Sequence, residues 1–377
     1  MKLIDWLTFL SLVVFPFGVL ARIPIKIVNI PEINLYILDL LVGLTAVYYL
    51  ISSKHRLKLK QAVPLLIFLT IAAISLFLSS FSLTWAQTST AFLYLLRFSA
   101  YALLLLNTQP VEKKYQLLAA VGIFTAVFGF IQYIFWPDLR VLKYIDWDPH
   151  YRRLAGTFLD PNFCGIILVL TLIILYKLYQ KNRYYLPGLI FCLIALVLTY
   201  SRSSYLALAA AVVIHALKNK SLRLLTVFLP IFFIFLLLIP KGDGEGLKLA
   251  RISTVYSRLN NWNEGITIGH QHPLFGVGFN AYRYYRTDTS SMLPEKSVNH
   301  AGAGVDSSLL FVFATTGLLG LFFYCFFLIK IFRHNRNTTA LASLAALLIH
   351  SLFVNSLFFP WVMFWWFNLF SLGESHR

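Results

Sequence analysis

Apolar residues run in long blocks, separated by short polar loops, along the whole 377-residue chain. Twelve blocks stand out: 3–20, 33–51, 62–79, 88–106, 116–136, 162–178, 184–200, 203–217, 222–240, 306–329, 339–358 and 360–372. Most approach the ~20 residues that an α-helix needs to cross a bilayer. The pattern predicts an all-α polytopic membrane protein, one transmembrane domain over residues 1–377 with about twelve helices. The first block resembles a signal peptide but lacks a clear small-residue cleavage site, so it is read as the first span.

Two connections are long, 137–161 and 241–305, and long ordered loops usually carry function. Within the second, Val255, Leu259, Trp262 and Ile266 recur at helical spacing and predict an amphipathic interfacial helix, with Arg258 and Asn261 off its apolar face.

Charge orients the blocks. With the N-terminus inside and strict alternation, the inner segments hold 17 Lys and Arg against two acids, and the outer ones 13 against 10. Basic loops stay cytoplasmic, so both termini are expected inside and residues 241–305 outside. The composition, 59% hydrophobic and 12% charged with mean hydropathy +0.73, excludes a sizeable soluble domain. The net charge of +17 sits mostly in these short loops, so it reports topology and not nucleic acid binding. Cys164, Cys192 and Cys325 all lie inside apolar blocks and form no disulfide framework or Cys-rich metal site.

Arg202 interrupts the apolar run from Tyr184 to Leu217, which has basic loops at both ends. The chain must enter and return within it, and each arm is short for a full crossing. A charge at that depth faces a polar cavity or a bound anion, or else snorkels to the interface. Arg97 raises the same question inside the fourth block. The outer segments add Arg152, Arg153, Arg251, Arg258, Arg283 and Arg286. The arginine fork binds phosphate bidentately and keeps its charge, so such a set suits a lipid diphosphate; headgroup contact or solvation is the alternative for any single loop arginine. Asp160-Pro161 reads as a helix cap. Gly276-x-Gly278 reads as a turn, and His270-x-His272 has no third metal ligand nearby. His300 and Asp306 are the two bases available on the long outer loop.

Several segments together resemble the O-antigen ligase/polymerase superfamily of bacterial membrane proteins. Arg153-Leu-Ala-Gly-Thr-Phe-Leu-Asp-Pro-Asn162 resembles its R-x-x-G-T-F-x-x-P-N signature, and Thr199-Tyr-Ser-Arg-Ser-Ser204 its T-x-S-R-[SG] turn. Arg258 to Trp262, followed by Pro273-Leu-Phe-Gly-Val-Gly278, resembles part of its large periplasmic loop. Asp306-Ser307, with Gly317 and Gly320, matches the spacing of an H-[NSQ]-x9-G-x-x-G motif, with Asp in place of His. Leu348 to Phe353 resembles a further span containing a histidine, here His350.

The resemblance implies a GT-C-like glycosyltransferase of the inner membrane with its active site facing the periplasm. It would move a glycan from undecaprenyl diphosphate to a hydroxyl of a glycolipid, a glycan or a protein, as ligase or polymerase, without metal or other cofactor. The implied diphosphate ligands are Arg202 and Arg258, and Arg153 and Arg97 are further diphosphate candidates from the arginine set. The base would be Asp306 or His300, and Asn162, Trp262, Ser201 and His350 would support the site. A flippase or other transporter would be expected to show internal repeats, and none is visible. A scaffold protein would leave Arg202 at membrane depth unexplained.

Overall fold

A computed structural model describes residues 3–27, 30–51, 62–106, 111–145, 147–220, 252–286, 304–335 and 337–370, together with Thr226, Pro230 and Phe232. Helix α1 (Leu3–Val14) continues into a tight 3-10 stretch, Phe15–Leu20. Strands β1 (Arg22–Ile27) and β2 (Ile30–Tyr36) then pair antiparallel, Arg22 opposite Tyr36 and Ile23 opposite Leu35. Eleven further helices follow among the described residues: α2 (Ile37–Ile51), α3 (Val63–Ser79), α4 (Trp85–Ala102), α5 (Val111–Phe135), α6 (Pro161–Lys181), α7 (Leu186–Leu198), α8 (Arg202–Lys218), α9 (Ser253–Gln271), α10 (Ser308–His334), α11 (Thr338–Ser351) and α12 (Pro360–Leu369).

The stretches Leu3–Leu20, Trp85–Leu106, Lys113–Phe135, Pro161–Lys181 and Ser308–His334 are long and apolar enough to cross a membrane. Four apolar helices are shorter: Ile37–Ile51, Val63–Ser79, Arg183–Leu198 and Thr338–Ser351. The chain is a mostly helical, multi-pass membrane protein.

Two expectations need correction. Within the helical architecture a hairpin occupies residues 22–36. Its signal was in the sequence: Ile23, Ile25 and Ile27 alternate with other residues at the period of two that favours strands. The block 33–51 therefore begins as a strand and turns helical only at Ile37. The block 360–372 is no lipid-facing span: α12 is ten residues long, and every one is buried. A helix apolar on all sides belongs in an interior, and Trp361, Trp365 and Trp366 anchor it there. The block 222–240 and the Gly-rich start of the outer loop lie almost wholly outside the described residues.

Helix α6 is the axis of the fold. Asp160 caps it through the Asn162 N–H at 2.6 Å, and Pro161 opens it. Its Ile166–Leu170 stretch is fully buried, with α5, α7, α8 and α11 packed around it. Helices α8 and α11 pack most extensively against each other, and α10 packs along α3. Helix α9 forms where the apolar spacing predicts it. Val255, Leu259 and Ile266 stay exposed on its outer face, as suits a helix lying on a membrane, while Trp262 turns in against Phe353 at 6.0 Å.

Candidate functional site

The turn joining α7 to α8 is held from four directions. Tyr200 adopts a left-handed conformation (φ 49°), and Ser201 then caps α8, with Arg202 as its first residue. Buried Arg153 donates from Nε to the Thr199 carbonyl at 2.9 Å and from Nη2 to the Tyr200 carbonyl at 3.3 Å. The Leu154 N–H reaches the Leu198 carbonyl at 2.8 Å. Ser201 Oγ donates to Asn162 Oδ1 at 2.9 Å, and Ser204 Oγ bridges Ser201 Oγ (2.9 Å) and His350 Nε2 (3.3 Å). Thus Arg153, Asn162, Ser201 and His350 converge on one buried scaffold. At least two of Arg153's donors are committed to backbone carbonyls, so it positions the turn and is a poorer candidate for a diphosphate ligand than the resemblance implies.

Below that scaffold the outer segments enclose a cavity of about 1110 Å³. Arg258, Asp306, Asp160, Asp148 and Asn162 line one side. Arg258 projects from α9 and is half-buried; among the described residues its guanidinium has no hydrogen-bond or ion-pair partner, although it feels the charges of Asp306 and Asp160. Burial pulls its pKa below the usual arginine range, and the two carboxylates counter that only in part. Arg202 is not among the described lining residues. It stands close enough for its charge to oppose that of Arg258.

Asp306 precedes α10, whose cap position is Ser307, so its carboxylate is not used as the cap. Its N–H donates to Asn261 Oδ1 at 2.7 Å, which ties it to the same helix that carries Arg258. Burial, helped by Asp160, raises the Asp306 pKa, and Arg258 works against the rise. Asp148 was not legible as a site residue. It is exposed in area because it faces the open cavity, yet the surrounding protein and the charges of Asp160 and Asp306 push its carboxyl up to about 6. His300 lies outside the described residues. Trp262 backs the cavity wall through Phe353, which lines it.

The glycine motifs have a structural use. Gly317 breaks α10 with φ 67°. The segment from Pro273 to Gly278 docks on the break: Val277 N–H donates to the Ala314 carbonyl at 3.0 Å, and Gly278 N–H to the Thr315 carbonyl at 3.1 Å. In return Leu318 N–H donates to the Pro273 carbonyl at 2.8 Å. Ser75 Oγ from α3 closes the joint by donating to the Phe275 carbonyl or to the Thr315 carbonyl. A Cβ on Gly317 would lie 2.2 Å from the Leu274 carbonyl oxygen, and one on Gly276 would lie 2.4 Å from the Thr315 carbonyl carbon. Gly276-x-Gly278 is therefore a turn that repairs a broken helix, as a loop at this depth must. It also sets the next turn, 278–285, against the cavity. His270 and His272 pack against Phe313 and Tyr285.

Arg97 lines the cavity elsewhere. It is ion-paired with Asp39 of α2 at 2.8 Å and donates to the Asn34 carbonyl at 2.7 Å. Tyr101 donates to the other Asp39 oxygen at 2.9 Å. Much of its charge is thus balanced within the protein. The sequence held a signal for this pairing, since Asp39 is as anomalous in the second block as Arg97 is in the fourth.

Residues 187–325 match the family model described as O-antigen ligase. No curated protein matches the chain. The matched segment holds the α7–α8 turn, Arg202, Arg258, Asp306 and the glycine joint. Arg153, Asn162 and His350, which support them, lie outside it.

Proposed function

We propose that this chain, whose residues 187–325 match the O-antigen ligase model, transfers a glycan from a polyprenyl diphosphate, undecaprenyl diphosphate in bacteria, to an acceptor hydroxyl on the outer face of the inner membrane. The carrying observation is Arg258: a half-buried guanidinium in a large cavity, without a bonded partner among the described residues, facing a carboxylate that is fixed through its own backbone. Leaving such a cation partly desolvated is costly unless a ligand supplies the counter-charge.

In this reading the diphosphate sits on Arg258, with Arg202 adding positive potential from behind. The acceptor oxygen attacks the anomeric carbon, and Asp306 accepts the proton of that hydroxyl. The bond from the anomeric carbon to the diphosphate oxygen breaks, and the polyprenyl diphosphate leaves with the electron pair. Arg258 stabilises the developing charge on the leaving diphosphate. The raised pKa of Asp306 suits a base better than an ordinary surface carboxylate would. The acceptor is a glycolipid, a glycan or a protein hydroxyl.

The test separates binding from chemistry. Arg258→Ala should lose donor binding, and Arg258→Lys should recover little of it because an ammonium lacks the fork. Asp306→Asn should keep donor affinity and lose about 10²–10⁴-fold in single-turnover rate. If His300→Gln shows that loss instead, the loop histidine is the base. Wild-type turnover in Arg258→Ala at saturating donor overturns the reading.

A further inference from the structure

The same cavity has a second cationic wall, apart from Arg258. Gly278 (φ 99°) and Asn280 (φ 59°) bend the chain sharply after the glycine joint, and buried Tyr282 anchors the turn beneath. This geometry presents Asn280 and Arg283 to the cavity, next to Tyr94 and Arg97 of α4. Both guanidiniums lie against one ring: Arg97 is 5.0 Å and Arg283 5.8 Å from the Tyr94 centroid. They differ in compensation. Arg97 has Asp39, whereas among the described residues Arg283 has no carboxylate partner. Its Nε and the Asn280 Nδ2 are both buried and without a hydrogen-bond acceptor there.

Arg283 Nε and Asn280 Nδ2 are buried donors left open on one turn, together with the Tyr282 hydroxyl, and each such group costs stability unless something accepts from it. Neighbouring Arg286 shows what a satisfied arginine looks like on this segment, its Nε held by Glu264 at 3.1 Å. Arg258 and Asp306 stand on α9 and at the start of α10, whereas Arg283 and Asn280 stand against α4, so the two cationic groups belong to separate walls of one chamber.

We propose that Arg283 and Asn280 form a second anion subsite, which holds a phosphate or carboxylate carried by the acceptor. It rests on the transferase reading above and deepens it: the acceptor is an acidic saccharide, so both substrates are anionic and each has its own arginine. Arg97 and the Tyr94 ring flank the subsite, and the bound acid would accept from the cavity-facing side of the Arg283 guanidinium and, once the side chains turn toward it, from Arg283 Nε and the Asn280 amide.

The purified full-length protein in detergent is titrated with glucose 6-phosphate as acidic saccharide probe, with glucose as neutral control, in the presence of saturating farnesyl diphosphate. Glucose 6-phosphate should still bind, and more tightly than glucose. Arg283→Gln, and Asn280→Gly, which keeps the left-handed backbone accessible, should each weaken it about tenfold or more and leave farnesyl diphosphate affinity unchanged. Arg258→Gln should do the reverse. Unchanged glucose 6-phosphate affinity in both variants, or equal affinity for glucose, overturns the subsite. Loss of farnesyl diphosphate affinity in Arg283→Gln assigns this wall to the donor and overturns the acceptor assignment. If Arg258→Gln leaves farnesyl diphosphate affinity intact, the donor site of the transferase reading fails instead, whatever Arg283 does.

Discussion

Burial and two neighbouring carboxylates push the Asp148 carboxyl up to about 6 in the cavity proposed to take the diphosphate, so that proposal carries a pH dependence seated in one residue. The sign follows from the charge. Above about 6 the carboxylate is ionised and repels a bound diphosphate; as pH falls through about 6 it becomes neutral and the repulsion disappears. Wild-type affinity for farnesyl diphosphate should therefore rise relative to Asp148→Asn as pH is lowered through that range, by about tenfold for unit charges ~12 Å apart at an effective dielectric of ~20. The comparison with Asp148→Asn cancels titration of the ligand itself. Parallel pH curves for the two proteins exclude Asp148 as the source. Arg258 and Asp306 were legible because they fall on motif positions. Asp148 was not, since its behaviour comes from burial by the surrounding protein and from Asp160 and Asp306, which the fold brings to the same chamber. Arg153 was legible as important, but a charged residue in a motif does not reveal that its donors go to carbonyls.

Among the elements, the joint between α10 and the 273–278 segment makes the sharpest forecast. Gly317→Ala places a methyl group against backbone and imposes a left-handed φ on alanine, a strain of about 1–3 kcal/mol before any clash is counted. The protein should melt earlier in detergent and lose folded yield. Gly43→Ala on α2, where a Cβ meets nothing within 4 Å, should melt like wild type and serves as the control. Equal melting of the two variants would show that the break at Gly317 is dispensable. The spacing of these glycines was readable from the chain, but their use was not. Gly-x-x-Gly inside an apolar block looks like close helix packing, and only the docked segment shows that carbonyls freed by the break need donors from elsewhere. The hairpin was missed for a related reason, because a short alternation between two apolar blocks is easily absorbed into the second block.

For the molecule as a whole, loop charge and cavity agree. The cavity is lined from the hairpin end at Tyr36, the 137–161 loop, α9, the 279–283 turn, residues 304–306 and 353–360, all segments that the loop charges place outside or at the outer ends of spans. A contact from Ser82 to Tyr285 at 2.7 Å ties another outer connection to the same face. Single cysteines at Ser82 and at Tyr144, which is exposed, should react with impermeant reagents from the periplasmic side, and one at Asn182 only after the cytoplasm is opened. Labelling of Asn182→Cys from outside reverses the orientation. The Asp39–Arg97 ion pair carries one more consequence, for how the protein is made. Helix α2 enters the membrane before α4, bearing a carboxylate whose partner is still two spans from synthesis. The first three helices are then an unfinished assembly, exposed to quality-control proteases until α4 arrives with the matching charge. Arg97→Leu should shorten the protein's lifetime in the membrane, and Asp39→Leu added to it should restore accumulation, because an apolar pair tolerates this setting better than a widowed charge.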